Sequence, residues 1–264
     1  MGAFVRGRAI SQSLFTLHLF TQNDIMTTII PTVGMLAFQV TSEDGRNKAS
    51  RPIPAGYISL QDAIYLRWAL VPICLISSAF YSIQVLSASL AIAFLTLWYN
   101  EFRAHSHWFS KNLMTGVGYA CFQVGATLIA GRDMSRLEPA ALLAVLLSIA
   151  MFATTLQAQD FKDQEGDRSI GRRTLPIAYP SRARVSMFIG LPMWSICLTQ
   201  VWGVDVFCSV AFVLYAGLVG LRFMVCKTTR ADRLSCKLYS VWFSVAYLLP
   251  GYWRYFSEAH MHIS

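Results

Sequence analysis

Between Gln159 and Arg168 the chain reads Gln-Asp-Phe-Lys-Asp-Gln-Glu-Gly-Asp-Arg, with Asp160, Asp163 and Asp167 at i, i+3 and i+7. If the preceding apolar span continues as a helix, these three places share one face. Three carboxylates on one face repel one another unless a cation sits among them. Hard oxygen ligands projecting together suit Mg2+, which binds through a few carboxylates plus the phosphate oxygens of a substrate. The segment continues Ser169-Ile170-Gly171-Arg172-Arg173-Thr174-Leu175-Pro176, and Arg168, Arg172 and Arg173 offer forked donors to phosphate oxygens. A solvated, mixed-charge loop is the usual meaning of such a run. The regular carboxylate spacing and the Gly-Arg-x-Thr-x-Pro tail favour a metal–diphosphate site.

Three other polar groups invite chemistry. The stretch Glu43-Asp44-Gly45-Arg46-Asn47-Lys48-Ala49-Ser50-Arg51-Pro52-Ile53-Pro54-Ala55-Gly56 reads, taken alone, as an ordinary Pro/Gly-rich loop. His105 and His107, beside Trp108-Phe109-Ser110-Lys111-Asn112, form a His-x-His without a third ligand and fit helix capping better than a metal site. Asp24 lies inside an apolar run, where a carboxylate is either functional or satisfied by neighbours such as His18 and Asn23. Most aromatic residues (17 Phe, 11 Tyr, 7 Trp) fit lipid-facing, core or interfacial positions.

The elements that must position these groups are membrane helices. Hydrophobic residues make up 55% of the 264 and charged residues 14%, against roughly 25% charged in soluble domains. That excludes a soluble enzyme, a disordered chain and a nucleic-acid-binding module. The six cysteines mostly lie in apolar stretches with no CxxC, so they read as small buried hydrophobes. Runs of about 20 apolar residues predict eight spans, at 13–40, 62–82, 85–100, 112–131, 138–157, 183–201, 206–226 and 238–256. Arg6 and Arg8 are not followed by the short core and cleavage site of a removable signal peptide. No repeat divides the chain, which reads as one helical-bundle domain over 1–264. The loops 41–60, 101–111, 158–184 and 222–237 hold 16 of the 22 basic residues, and the positive-inside rule makes them cytoplasmic. Eight spans then put Arg6 and Arg8 on the far side. One further span before residue 41 would remove that discord.

Together, Asp-x-x-Asp-x-x-x-Asp-Arg-x-x-Gly-Arg-Arg-Thr-Leu-Pro at 160–176 and Arg-Pro-Ile-Pro-Ala-Gly-x-Ile-Ser at 51–59 resemble the UbiA superfamily of intramembrane prenyltransferases. The segments from Phe20 to Pro31, from Trp108 to Asn112, and around Leu238, Tyr239 and Trp242 look most like its fungal branch of fumagillin-type sesquiterpene cyclases. The resemblance implies an all-α integral membrane bundle of nine spans around a cavity, with two acidic motifs at its cytoplasmic mouth. It implies Mg2+ as cofactor, an isoprenoid diphosphate as substrate and the lipid bilayer as surroundings. Carried over by position, Asp160, Asp163 and Asp167 form the second motif and act as metal ligands and catalytic residues. Glu43 and Asp44 are the acidic residues available to the first motif, and Lys111, Arg51, Arg168 and Arg172 become diphosphate partners. The pattern departs in one place: family members carry two spans before the Arg-Pro-x-Pro-x-Gly loop, where this chain carries one. A deletion of about one helix before residue 41 would explain both this and the charge discord.

Three functions follow as expectations. The first is a Mg2+-dependent terpene cyclase of the endoplasmic reticulum membrane, its site facing the cytoplasm, acting on farnesyl diphosphate. The second is a prenyltransferase in which an aromatic acceptor captures the same cation. The third is a truncated homologue that has lost activity with its helix.

Overall fold

The computed structural model describes residues 53, 56, 59–102, 104–131 and 133–261. The predicted first span, 13–40, lies outside them, as do Asp24, Glu43, Asp44 and Arg51. Among the described residues the fold is helical: α1 (Leu60–Ala79), α2 (Ile83–Glu101), α3 (Trp108–Ala130), α4 (Pro139–Thr155), α5 (Asp160–Ser169), α6 (Leu175–Ala178), α7 (Pro180–Val201), α8 (Val206–Val225) and α9 (Thr229–Met261). Short 3-10 turns at Ala104–Ser106 and Leu156–Ala158 precede α3 and α5. Seven long helices overlie the seven later predicted spans. Leu60–Ala79, Trp108–Ala130, Pro139–Ala158 and Val206–Val225 are long and apolar enough to cross a bilayer, while the apolar stretch of α2, Ile83–Tyr99, is shorter.

One sequence boundary needs correction. The loop read at 222–237 is mostly helix, because α8 runs to Val225 and α9 begins at Thr229. Thr228 starts α9: its carbonyl accepts from Asp232 N at 2.8 Å and its hydroxyl from Ala231 N at 3.2 Å. Arg230, Arg233 and Lys237 kept this first third out of any search for apolar runs.

The chain divides into two compact units. One takes in Met1–His105 and Val117–Val145. In it, Ser59 caps α1 by accepting from Asp62 N at 3.1 Å, and Ser82 caps α2 by accepting from Val85 N at 3.2 Å. Ser78 and Ser89 share a 2.6 Å hydrogen bond from α1 to α2, the kind of polar contact that joins membrane helices lacking a hydrophobic drive between them. Tyr65, Ile73, Ile76 and Phe94 are exposed, which suits helices whose solvent is lipid.

The other unit takes in Ser106–Gly116 and Leu146–Ser264. Met187, Leu191, Ser195 and Leu198 form the buried stripe of α7, facing Phe212, Ala216, Val219 and Phe223 of α8. On α8, Val210, Leu214, Leu218, Leu221 and Val225 form the opposite, exposed stripe. Gly220 allows the approach, since a Cβ there would sit 2.9 Å from Phe188 Cα and 3.0 Å from Met187 O. A small residue at such a crossing is how membrane helices pack closely. Trp242 of α9 stacks on Phe212 at 6.0 Å between ring centroids and donates from Nε1 to Ser195 Oγ at 2.8 Å.

Candidate active site

Helix α5 is short and polar, unlike its neighbours. Asp160 and Asp163 occupy its first turn and Arg168 its last, the arrangement that the helix dipole favours. A Schellman closure ends it: Gly171 N donates to Arg168 O at 3.2 Å and Arg172 N to Asp167 O at 2.9 Å. Such a turn needs a left-handed residue, and Gly171 supplies it at φ +73°. The chain then runs extended through Arg173, whose N donates to Ser106 O at 2.7 Å and whose O accepts from Trp108 N at 3.0 Å. This backbone clasp fixes the start of α3 beside the end of α5, so that α3 presents Lys111 to Asp160.

Lys111 Nζ forms an ion pair with Asp160 Oδ1. Asp160 is 3% exposed and Asp167 is 2% exposed. Burial pushes the Asp160 carboxyl above its ordinary value; Lys111 pulls it back, and the negative charges of Asp167 and Asp163 push it up further. Arg172 Nη1 donates to Asp167 Oδ1 at 3.1 Å. In both aspartates the second oxygen, Oδ2, is buried with no hydrogen-bond partner. Buried polar atoms are nearly always paired, so two unpaired carboxylate oxygens on one short helix are acceptors able to meet something positive or protic.

The interior beside α5 is polar first and aromatic next. Asn112 Nδ2 donates to Gln157 Oε1 at 3.2 Å, and Gln157 Nε2 donates to Thr154 O at 2.6 Å and Ser186 Oγ at 3.1 Å. Thr155 and Tyr239 join their hydroxyls at 2.9 Å. Phe243 lies 4.5 Å from Phe152 and 4.8 Å from Tyr247, centroid to centroid, and Trp242 stacks on Tyr239 at 5.7 Å. Aromatic faces carry a negative quadrupole that attracts cations.

These residues fit a divalent cation. Among the described residues no three His, Cys, Asp or Glu side chains gather as a ligand set. Mg2+ does not require one, since it binds through one or two carboxylates plus waters and phosphate oxygens. The free Oδ2 atoms of Asp160 and Asp167 are of that kind.

Of the residues predicted from sequence, Asp160, Asp167, Lys111 and Arg172 are brought together and buried or nearly so. Asp163 lies half-buried on the same helix. Arg168 is exposed and donates to Gln164 Oε1 at 3.3 Å, turned aside from the buried carboxylates. Sequence reading missed a second buried pair. Arg184 donates to both oxygens of Asp232, at 3.0 and 2.9 Å, and to Phe223 O at 2.6 Å, while its guanidinium lies 4.6 Å from the Phe161 ring centroid. Arg184 counts among the basic residues of the 158–184 loop, and nothing in the local pattern marks it and Asp232 as partners 48 residues apart.

A buried aspartate pair lies on a polar helix with a lysine and an arginine against it, and aromatic rings lie in the same unit. The chain belongs to the UbiA prenyltransferase family, whose pattern matches residues 41–244. Among curated proteins it is similar to a fumagillin beta-trans-bergamotene synthase of Aspergillus fumigatus, 26% identical over 270 residues and covering 90% of this chain and 92% of the relative. A diterpene cyclase of Hericium erinaceus is 29% identical, covering 63% of this chain and 55% of that enzyme. A polyprenyl transferase of the same fungus is 26% identical, covering 81% and 74%. No solved structure matches the chain.

Proposed function

We propose that this protein is a membrane-embedded terpene cyclase that ionises an isoprenoid diphosphate, with farnesyl diphosphate as the substrate. The observation that carries this reading is the pair of buried, unpartnered aspartate oxygens beside Lys111. Asp160 and Asp167 would hold Mg2+, with Asp163 on the same helix; Glu43 and Asp44, outside the described residues, are the acidic residues that the family resemblance offers for its first motif. When bound there, the metal supplies Lewis-acid stabilisation of the departing diphosphate. Lys111 and Arg172 would neutralise the remaining phosphate charge. As the allylic C–O bond breaks, its electron pair leaves with the diphosphate and the cation stays on the prenyl chain. Phe152, Tyr239, Phe243 and Tyr247 offer ring faces that stabilise such a cation. Their apolar surroundings exclude the water that would quench it.

The aromatic prenyltransferase is the second reading, favoured by the similarity to the polyprenyl transferase. It shares the ionisation step and differs in requiring an acceptor ring. Membranes containing the chain, incubated with farnesyl diphosphate and Mg2+, distinguish them: a hydrocarbon formed without acceptor supports the cyclase, and product formed only with a phenol supports the transferase. The basic loops set the site on the cytoplasmic face, and the endoplasmic reticulum is the expected membrane. Cysteine labelling near residues 172 and 230 from the cytoplasmic side is the expected result, and labelling of both from the lumenal side overturns this orientation.

A further inference from the structure

Asn112 is 1% exposed, and its Oδ1 is buried with no hydrogen-bond partner. Its orientation follows from its neighbours. Gln157 Nε2 reaches Thr154 O and Ser186 Oγ, and flipping that amide would set Oε1 against the Thr154 carbonyl at 2.6 Å, oxygen against oxygen. Gln157 Oε1 must therefore face Asn112, which must meet it with Nδ2. The hydrogen bonds run one way, from Asn112 to Gln157 to Ser186 and on to Ala183 O at 2.8 Å. An acceptor oxygen is left at the head of that chain. Asn112 is adjacent in sequence to Lys111, which pairs with Asp160, and Gln157 lies three residues before Asp160. The unpartnered buried atoms of Asn112, Asp160 and Asp167 are all acceptor oxygens.

We infer that Asn112 is a positioning residue for the cation of this site, its Oδ1 accepting a hydrogen bond from a water of the hydrated Mg2+. The inference rests on the metal–diphosphate reading above. Mg2+ dehydrates reluctantly and keeps several waters, and those waters need acceptors as well as the metal. Gln157 holds the Asn112 amide so that its oxygen is presented and its nitrogen is occupied.

The test uses the full chain, purified in detergent, with thermal unfolding followed while Mg2+ is titrated in the presence of inorganic diphosphate. Wild type is expected to be stabilised. Asn112→Leu is expected to shift the half-saturating Mg2+ concentration up by about tenfold, the scale seen on losing an outer-shell partner. Asn112→Asp loses the same N–H donor but keeps the oxygen, and it is expected to hold Mg2+ at least as well as wild type. It decides the matter alone if the leucine variant does not fold. An unshifted titration for Asn112→Leu, or a loss in Asn112→Asp equal to that in Asn112→Leu, overturns the inference while leaving the metal reading intact. Absence of any stabilisation of wild type overturns the metal reading and the inference with it.

Discussion

Two buried cation–aspartate pairs lie in the same unit and are built differently. In Arg184–Asp232 both carboxylate oxygens accept, the guanidinium also reaches a backbone carbonyl, and Phe161 covers its face. Every strong hydrogen-bonding need of that aspartate is met within the protein. In Lys111–Asp160 one oxygen is paired and the other is orphaned, as is one oxygen of Asp167. A closed pair of this kind fixes structure, because removing either partner strands a buried charge. An open pair has capacity left for a ligand. On the proposed function, the difference separates a structural pair from a ligand-binding one.

The largest effect should come from the open pair. Asp160→Ala is expected to abolish turnover of farnesyl diphosphate while membrane insertion stays intact, as measured by product analysis on membranes matched for protein level. Near-normal turnover at limiting Mg2+ would remove Asp160 from the metal site.

A comparable effect concerns the part of the site outside the described residues. The alignment to the Aspergillus relative runs over 270 residues yet draws on 90% of this 264-residue chain; that is about 238, so roughly thirty positions of the relative lack a counterpart here. The sequence reading expects one missing helix before residue 41, and the alignment length does not say where the unmatched positions fall. Restoring roughly 35 residues before Thr41, one span plus its connection, should raise turnover well above that of the chain as written. Efficient turnover without them, from a transcript encoding these 264 residues, would defeat the deletion.

The closed pair should respond in stability. Arg184→Ala is expected to lower stability by about 3–5 kcal/mol, the range for breaking a buried pair, read as a lower melting temperature in detergent. Replacing both partners, as Arg184→Met with Asp232→Leu, should recover most of that loss. If the double variant is folded yet as inactive as Asp160→Ala, the pair belongs to the site and the contrast drawn here fails.

How much of this was legible in the sequence depended on the range over which each signal acts. Apolar runs located seven helices because each run is local and must span a bilayer. The three aspartates were legible because i, i+3, i+7 is a helical face whatever surrounds it, and Lys111 was placed through its Trp-x-x-Lys-Asn segment. What no local pattern carried was pairing at a distance. Arg184 read as a loop charge because loops hold most charges, and the Asn112–Gln157 bond joins residues 45 positions apart. The start of α9 was misplaced because hydropathy marks where a helix is apolar and says nothing of where it begins.

The smallest effect tests the packing between α7 and α9. Ser195→Ala removes the acceptor of the Trp242 Nε1 bond and should lower stability by about 1 kcal/mol, the net scale of one hydrogen bond, with turnover unchanged. A fall in turnover at unchanged stability would mean that Trp242 acts at the site as well as in the core.

The central claim, that the open pair binds and ionises an isoprenoid diphosphate, is tested most directly by inorganic diphosphate release. Membranes carrying wild type or Asp160→Ala at equal protein level are supplied with farnesyl diphosphate and Mg2+, without acceptor. The expected result is release from wild type together with a hydrocarbon, and none above background from Asp160→Ala. Equal release from both, or none from wild type and from the chain restored before Thr41, would contradict it.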